Sequence, residues 1–311
     1  MAALWIPKRL TEAGLINVAT QNRADFIAYC EQDYEGRVAD AAKAVAQSKA
    51  KVVMLSGPSA SGKTTTACKL AACLCEADIP AAVVSLDDFY RNIEDYPELP
   101  GGGKDYESIQ SLDVQAIHSC LGELIETGRA DFPVYDFIAE RRSGRVNHIE
   151  LPGGVVIAEG IHALNPLLTD VLPCGSVYRI YAGLREEYSL GGQRHLATRD
   201  IRLARRLVRD SWQRGHSLEK TLALWPRVCE GETLYVKAFK TYADYLLDTS
   251  FSYEPGLLAA CLAPLRGALG NSEKGAQLDT LTALFSPFTR LDEKDVPLQS
   301  MLREFIGGTI V

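Results

Sequence analysis

Short, mostly apolar runs recur along the chain and alternate with longer stretches of mixed polar and apolar residues. The clearest runs are residues 52–55, 82–86, 155–158 and 177–181, and a weaker run covers residues 245–247. Strands that are apolar throughout are typical of a parallel sheet whose two faces are both covered by helices. The pattern therefore predicts an α/β fold, a three-layer α/β/α arrangement around a mainly parallel five-stranded sheet.

Two flanking regions differ from this alternating centre. Residues 22–49 are rich in Ala, Glu, Asp, Gln and Lys and lack proline, which predicts a helix leading into the first strand. Residues 278–311 mix Leu and Phe with prolines, which predicts a helical extension packed on the main domain. We therefore expect an N-terminal helical extension (1–50), a central α/β domain (51–260) and a C-terminal helical extension (261–311).

Composition narrows the function classes. A formal net charge of −7, with 23% charged and 47% hydrophobic residues, argues against a general nucleic-acid or membrane-surface binder. No apolar run approaches the roughly 18 residues of a membrane span, and the N-terminus does not have the pattern of a secretory signal. Eight cysteines are scattered without a C-x-x-C pair, which is typical of free thiols in a reducing compartment. We expect a cytoplasmic globular protein that binds neither nucleic acid nor membrane.

The run Gly57-Pro58-Ser59-Ala60-Ser61-Gly62-Lys63-Thr64 fits the pattern G-x-x-x-x-G-K-[ST]. It follows the first predicted strand and precedes a stretch without Pro or Gly, residues 65–76, that predicts a helix. The glycines let backbone N–H groups turn inward around a phosphate, and the helix adds its positive N-terminal dipole. An ordinary Gly/Ser turn is the alternative, which the strand–loop–helix context disfavours. We expect ATP to be held by Gly57, Ser59, Ala60, Ser61, Gly62, Lys63, Thr64 and Thr65.

Two carboxylates, Asp87 and Glu159, each directly follow a predicted strand, at the edge where open α/β sheets bind ligands. A kinase needs one group to take the acceptor's proton and others to hold a metal ion. A lone acid at such a place is more often a helix cap or a solvated turn residue, but two beside a phosphate loop favour chemistry. We assign Asp87 as the base and a metal neighbour, with Asp88 as its substitute. We expect Lys63 to bridge the β- and γ-phosphates and Mg²⁺ to bind Thr64, Asp87 and Glu159.

Residues 199–214, RDIRLARRLVRDSWQR, contain an arginine face. On a helix, Arg202, Arg205, Arg206 and Arg209 fall within about one third of the circumference, and apolar residues occupy the opposite side. A solvated basic face would look similar and is the usual explanation of such a stripe. Arginine without lysine in an acidic protein favours phosphate recognition, because the planar guanidinium matches phosphate oxygens. We expect an Arg-rich helical lid that closes over ATP.

Five motifs resemble those of the uridine kinase and phosphoribulokinase group of P-loop kinases in their order and approximate spacing. They are GPSASGKTT, SLDDFYR, FPVYDF, VVIAEGIHAL and RLARRLVRDSWQRGHS, and they span about residues 50–215. The segments LWPRVCEGE and SMLREFIGG further resemble a bacterial subgroup in which such a kinase domain often follows a synthetase-like module. The resemblance implies a P-loop NTPase fold, ATP and Mg²⁺ as cofactors, and a small-molecule hydroxyl acceptor.

The resemblance also implies individual roles at the matching positions. Asp87 corresponds to the acid that deprotonates the acceptor's 5′-hydroxyl, Tyr90 lies beside it, and Glu159 corresponds to the metal-associated Glu. Arg202 and Arg205 match lid arginines that contact phosphate. Together with Asp87 and Lys63, they form the predicted catalytic set.

On the acceptor side, the resemblance implies that Tyr135 and Phe137 pack around a pyrimidine base and that Arg214 lies near the acceptor. A packed hairpin edge would also account for the two aromatic residues. Three acceptor-side positions depart from the uridine–cytidine kinase pattern: Glu107 replaces an Asp that grips the ribose, Glu140 replaces a His against the base, and Lys220 replaces a Gln.

The combined observations predict ATP-dependent phosphorylation of the 5′-hydroxyl of a nucleoside, with a uridine- or cytidine-like acceptor. Two alternatives stay open at this point: a kinase of a sugar phosphate or other small metabolite, and a nucleotide-binding module without catalysis. The acidic residues on the acceptor side count against the first, and the retained Lys63, Thr64, Asp87 and Glu159 count against the second. The sequence leaves a homo-oligomer open.

Overall fold

The chain is described by a computed structural model over residues 7–99, 101–213 and 217–308. The strands in these ranges are β1 (Arg9–Glu12), β2 (Val52–Ser56), β3 (Ala81–Ser85), β4 (Arg129–Asp136), β5 (Arg141–Glu150), β6 (Val155–Glu159), β7 (Val177–Gly183), β8 (Glu186–Leu190), β9 (Gln193–Leu196) and β10 (Tyr245–Asp248). The α-helices are α1 (Ala13–Ala19), α2 (Arg23–Ser48), α3 (Lys63–Glu76), α4 (Val114–Thr127), α5 (Pro166–Thr169), α6 (Thr198–Trp212), α7 (Leu218–Gly231), α8 (Glu254–Leu262), α9 (Arg266–Leu269), α10 (Glu273–Phe285) and α11 (Arg303–Ile306). None of the helices in these ranges is long and apolar enough to cross a membrane.

The central sheet has five strands, all parallel, in the order β10-β7-β2-β6-β3. These are the five strands that the apolar runs predict, so the predicted sheet is confirmed. The register places Leu55 of β2 and Ser85 of β3 on either side of Glu159 at the end of β6. The carboxyl ends of β2, β6 and β3 therefore meet at one edge of the sheet.

Helices cover both faces of this sheet and give the predicted three layers. Along β2, Val53 and Leu55 face a core that includes residues of α2 and α3, whereas Val52 and Met54 face a core that includes residues of α4. All four side chains are buried, because successive side chains of a strand point to opposite faces and both faces are covered.

Two smaller sheets lie beside the central one. β4 and β5 form an antiparallel hairpin, while β1 pairs in parallel with β8, which pairs antiparallel with β9. The sequence RLTE of β1 has no apolar run and its side chains are exposed or half-buried, so periodicity did not predict this strand. The β1–β8 pairing ties the beginning of the described chain to its middle.

The C-terminal helices pack on the rest of the chain. α10 contacts α8, and α11 contacts α6. Trp212, the last residue of α6, donates its indole N–H to the carbonyl of Phe305 at 2.7 Å. Leu278, Phe285 and Phe305 join the same core as α2 and α3. The three-part division at residues 50 and 260 stays a prediction.

Candidate active site

The loop between β2 and α3 forms a tight backbone cradle. Ala60 and Gly62 adopt left-handed φ angles of +56° and +84°, a conformation that aims successive N–H groups at one point. Gly57 leaves no room for a side chain, because an added Cβ would lie 2.0 Å from the carbonyl oxygen of Ala182. α3 begins at Lys63, so its N-terminal N–H groups face the same point. This geometry fits the phosphates of a nucleotide.

Glu159 lies at the sheet edge directly beside the cradle. Its carboxylate accepts hydrogen bonds from the hydroxyls of Thr64 at 3.3 Å and Ser85 at 3.2 Å. Burial raises the pKa of Glu159 to about 7; the Lys63 ammonium lowers it and the Asp87 charge raises it further. The structure therefore brings the predicted residues Lys63, Thr64, Asp87 and Glu159 together at one place.

The paired aspartates after β3 have different environments. Asp87 lies in a 3₁₀ turn, Leu86–Phe89, and donates its backbone N–H to the Ser85 hydroxyl oxygen at 3.3 Å. Its charge adds to the effect of burial in raising the pKa of Glu159 and of Tyr90. Asp88 instead accepts the backbone N–H of Tyr135 at 3.0 Å and so ties the β4–β5 hairpin to the end of β3. Asp88 holds the hairpin, and Asp87 is the better candidate base because its charge acts on Glu159 beside the cradle.

The cradle edge offers a magnesium ion the Thr64 hydroxyl and the carboxylates of Asp87 and Glu159. Within the described ranges, no group of three or more His, Cys, Asp or Glu side chains is placed to hold a metal ion. Mg²⁺ is usually bound by one or two carboxylates together with water and substrate phosphates, and it prefers oxygen ligands. The side chains present fit this ion.

An aromatic patch lies beside Asp87. We define the tyrosine cluster as Tyr90, Tyr96, Tyr106 and Tyr135, whose neighbouring ring centres are 5.4 to 5.9 Å apart. The hydroxyls of Tyr96 and Tyr135 are hydrogen-bonded at 3.3 Å. Phe137, 61% exposed, extends the cluster with its ring 5.1 Å from that of Tyr135. The predicted acceptor residues Tyr90 and Tyr135 are therefore adjacent, with Phe137 at the open rim.

Two further carboxylates flank the tyrosine cluster. Glu107 packs against Gly231, where an added Cβ would lie 2.8 Å from the Glu107 Cβ. Burial raises the pKa of Glu107 to about 7, against the opposing effect of the Arg206 guanidinium. Glu140 is exposed in the β4–β5 turn and accepts the Tyr106 hydroxyl at 3.3 Å. Arg214, expected near the acceptor, lies outside the described residues.

The arginine-rich helix α6 lies against the cradle, but its arginine face is buried, contrary to the exposed face that a helical wheel alone suggests. Arg202 and Arg205 are 4% and 0% exposed and form ion pairs with Glu232 and Glu254. Both also donate to carbonyl oxygens of the phosphate loop, at 2.9 and 3.3 Å. Buried guanidinium groups need such partners, because an unpaired desolvated charge is costly. Contact of Arg202 and Arg205 with nucleotide phosphate stays a prediction.

Two carboxylates that sequence reasoning missed hold donors of the cradle. Glu232 lies in a π-helical turn, Glu232–Val236, that follows α7, and it accepts the N–H of Ser59 at 3.2 Å. Glu304 of α11 accepts the N–H of Thr65 at 3.4 Å and its hydroxyl at 2.6 Å. Glu232 lies in the segment LWPRVCEGE and Glu304 in the segment SMLREFIGG. Both segments resemble a bacterial subgroup, but that resemblance did not assign a role to either Glu.

A phosphate-binding loop after a central parallel strand, with carboxylates at the ends of the next two strands on one side of it, defines the P-loop kinase class. Residues 52–166 and 196–250, more than half of the chain, match the model of the phosphoribulokinase / uridine kinase family. The chain belongs to this family, and the sequence-based resemblance is confirmed.

Individual relatives are distant. The chain is 28% identical to the uridine kinase of Saccharomyces cerevisiae over 201 residues, which cover 63% of this chain and 36% of that protein. It is 27% identical to the uridine kinase of Deinococcus deserti over 212 residues, which cover 66% of this chain and 91% of that protein. A solved structure of a proposed fructose transport system kinase from Silicibacter sp. TM1040 superposes with a TM-score of 0.50 at 21% identity, covering 67% of this chain and 98% of that one. The protein is a small-molecule kinase of this family that uses ATP.

Proposed function

We propose that the protein transfers the γ-phosphate of ATP to the 5′-hydroxyl of a nucleoside of the uridine or cytidine type, with Mg²⁺ as the metal ion. The observation that carries this proposal is the tyrosine cluster beside Asp87 and Glu107, whose charges both raise the pKa of Tyr90. Aromatic faces suit the stacking of a base, worth about 1–3 kcal/mol, and carboxylates suit the hydroxyls of a ribose. A phosphorylated sugar would instead need several cations at this place.

The proposed chemistry assigns one task to each group around the cradle. Asp87 accepts the proton of the 5′-hydroxyl as that oxygen bonds to the γ-phosphorus, and the bond from the γ-phosphorus to the β–γ bridging oxygen breaks, so that ADP leaves. Lys63 neutralises charge on the β- and γ-phosphates, which the backbone N–H groups of the loop hold in line. Mg²⁺, held by Thr64, Asp87 and Glu159, would neutralise further phosphate charge.

Acceptor recognition is proposed to divide between the two flanking carboxylates. Glu107, which lies half-buried beside Asp87, accepts hydrogen bonds from ribose hydroxyls when it is ionised. Since the pKa of Glu107 is about 7, this grip weakens as the pH falls below 7. Glu140, at the exposed rim, is placed to accept an N–H of the base.

The test is an ADP-release assay over nucleosides, pentose phosphates and related alcohols, with wild type and Asp87→Asn compared side by side. We expect at least one nucleoside to raise turnover, and Asp87→Asn to lower kcat by about 10²- to 10⁴-fold, the usual contribution of a general base. Asp95→Asn, the same change at an exposed position after β3, is the matched control and should keep the wild-type rate.

The outcomes separate the parts of this proposal. Turnover with pentose phosphates but no nucleoside would replace the nucleoside by a sugar phosphate. A kcat for Asp87→Asn equal to that of Asp95→Asn would remove Asp87 from the role of base.

A further inference from the structure

His162 is a buried histidine to which the proposed chemistry assigns no task. It follows Glu159 by three residues, in the turn between β6 and α5, and is 1% exposed. Within the described ranges, neither of its ring nitrogens has a hydrogen-bond partner. A buried polar group without a partner costs free energy, and proteins rarely keep one. The side chain therefore needs a functional explanation.

Two segments of the acceptor side enclose the imidazole. Burial lowers the pKa of His162 to about 4, against the opposing effect of the Glu107 backbone, which lies beside the ring. The ring also packs edge-on against Tyr235, with 5.7 Å between the two ring centres. Tyr235 belongs to the π-helical turn Glu232–Val236. The imidazole is therefore neutral near pH 7, and a neutral imidazole has one N–H to donate.

Glu107 connects His162 with the proposed acceptor site. Its backbone lies beside His162, and the charges of Arg206 and Asp87 act on its carboxyl group. Its Cβ packs against Gly231, the last residue of α7, where an added Cβ would lie only 2.8 Å away. Because the side chain of Glu107 is confined in this way, the position of its carboxylate follows the position of its backbone.

We infer that His162 is a positioning residue for Glu107: when the acceptor binds, the imidazole N–H donates to the backbone carbonyl oxygen of Glu107 and fixes the carboxylate that binds the acceptor hydroxyls. This inference rests on the proposed function, in which Glu107 binds the acceptor. Hydrogen bonds of an active site are often long or poorly aligned without substrate and tighten when the substrate binds. The free protein bears the cost of the unpaired imidazole, and acceptor binding removes it.

The experiment compares the steady-state kinetics and the melting temperature of His162→Leu with those of wild type, with uridine as the acceptor. We expect His162→Leu to raise the KM for uridine about tenfold, the scale of one hydrogen bond, and to leave the KM for ATP unchanged. Because the variant removes an unpaired polar group from the interior, it should melt at or above the wild-type temperature. His162→Gln, whose amide can still donate an N–H, should keep the KM for uridine within about threefold of wild type.

His195→Leu is the matched control. His195 is half-buried, and its Nε2 donates to the carbonyl oxygen of Leu284 at 3.0 Å, so this variant should melt below wild type and keep the KM for uridine. A double variant separates positioning from direct contact with the acceptor. If His162 acts through Glu107, adding His162→Leu to Glu107→Ala should change the KM for uridine by less than about threefold, because the effects of two residues that act together are not additive.

Three results would overturn the inference. Melting of His162→Leu well below wild type would give the imidazole a structural role in the free protein. An unchanged KM for uridine would show that His162 does not position Glu107, and losses that multiply in the double variant would show that it acts independently of Glu107. If wild type does not turn over uridine, the uridine acceptor fails by itself, and the same comparison is made with the most active acceptor of the ADP-release panel. Turnover with no acceptor at all would overturn both the proposed function and the role of His162.

Discussion

Glu140 places a negative charge at the rim of the tyrosine cluster, where uridine–cytidine kinases have a His. We predict that Glu140→His raises kcat/KM for uridine or cytidine relative to the other nucleosides, by about tenfold, the scale of one recognition contact. The imidazole can reach the same base edge without the charge, and His tolerates the left-handed φ of +51° at this turn. The measurement is relative kcat/KM over a nucleoside panel. Glu76→His, at an exposed position of α3, is the control, and the same ratios in both variants would remove Glu140 from base recognition.

At the scale of single residues, a role is easier to predict when the contacts that define it lie close together along the chain. Asp87 and Glu159 were predictable because each directly follows a strand, and parallel strands bring their carboxyl ends to one edge. The sequence analysis already preferred Asp87 to Asp88, and the hydrogen bond to Asp88 from Tyr135, 47 residues further on, adds a structural reason for that preference. Glu304 was not predictable, because its contact with Thr65 spans 239 residues and depends on how the last helix docks.

At the scale of elements, α11 covers hydrogen-bond donors that are predicted to bind a nucleotide phosphate. Glu304 accepts both the N–H and the hydroxyl of Thr65, one of the residues at the start of α3 expected to face a phosphate. Met301 packs on the loop so closely that a Cβ added to Gly62 would lie 2.4 Å from the Met301 sulfur. If Thr65 binds a phosphate of ATP as predicted, ATP competes with Glu304 for this residue.

We predict that Glu304→Gln binds ATP about tenfold more tightly than wild type. The variant keeps the shape and one acceptor oxygen but removes a charge whose repulsion of a phosphate at contact distance is on the order of 1 kcal/mol or more. Titration calorimetry with ATP measures the effect, and Glu273→Gln, at the exposed start of α10, is the control. Weaker ATP binding in Glu304→Gln would show that the carboxylate supports the loop instead of competing with the nucleotide.

α6 shows what an element's own pattern can and cannot predict. Its helical wheel correctly grouped the arginines on one side and Ile201, Ala204 and Leu207, which are buried, on the other. It could not show that the arginine side is buried as well. The carboxylates that neutralise the buried arginines lie far along the chain: Glu232 is 30 residues after Arg202, and Glu254 is 49 residues after Arg205. Pairing over such distances is determined by how the helices pack.

At the scale of the whole molecule, most of the fold that could be predicted from the sequence consists of the buried strands. Each mostly apolar run corresponds to a strand of the central sheet, because a strand that is covered on both faces needs apolar side chains along most of its length. β1 escaped prediction because its four residues are exposed or half-buried and are held by backbone pairing with β8. Backbone pairing does not depend on the side-chain pattern, so edge strands of this kind leave no hydrophobic pattern from which they could be predicted.

Buried titratable groups at the site also affect the stability of the whole molecule. The pKa of Glu107 and of Glu159 is about 7 instead of 4.5, so between these values the folded protein keeps protons that the unfolded chain releases. The free energy of unfolding therefore falls as the pH rises through this window. His162 acts in the opposite direction, because burial lowers its pKa from 6.5 to about 4 and the unfolded chain then binds the extra proton. Of these three groups, Glu107 and Glu159 therefore lower the stability towards neutral pH, and His162 raises it.

Glu159→Gln isolates one of these contributions. The amide oxygen can still accept from the Thr64 and Ser85 hydroxyls, but at pH 8 the variant no longer buries a charge. Since one pKa unit corresponds to about 1.4 kcal/mol, we predict that Glu159→Gln unfolds with up to about 3 kcal/mol more free energy than wild type at pH 8 and with nearly the same free energy at pH 4.5. Urea unfolding without nucleotide at both pH values measures this, and Glu76→Gln should follow wild type. The charge that destabilises the protein without nucleotide is the one proposed to hold Mg²⁺, so the same variant should lose phosphotransfer. If Glu159→Gln has wild-type stability at pH 8, burial does not raise the pKa of this carboxyl group.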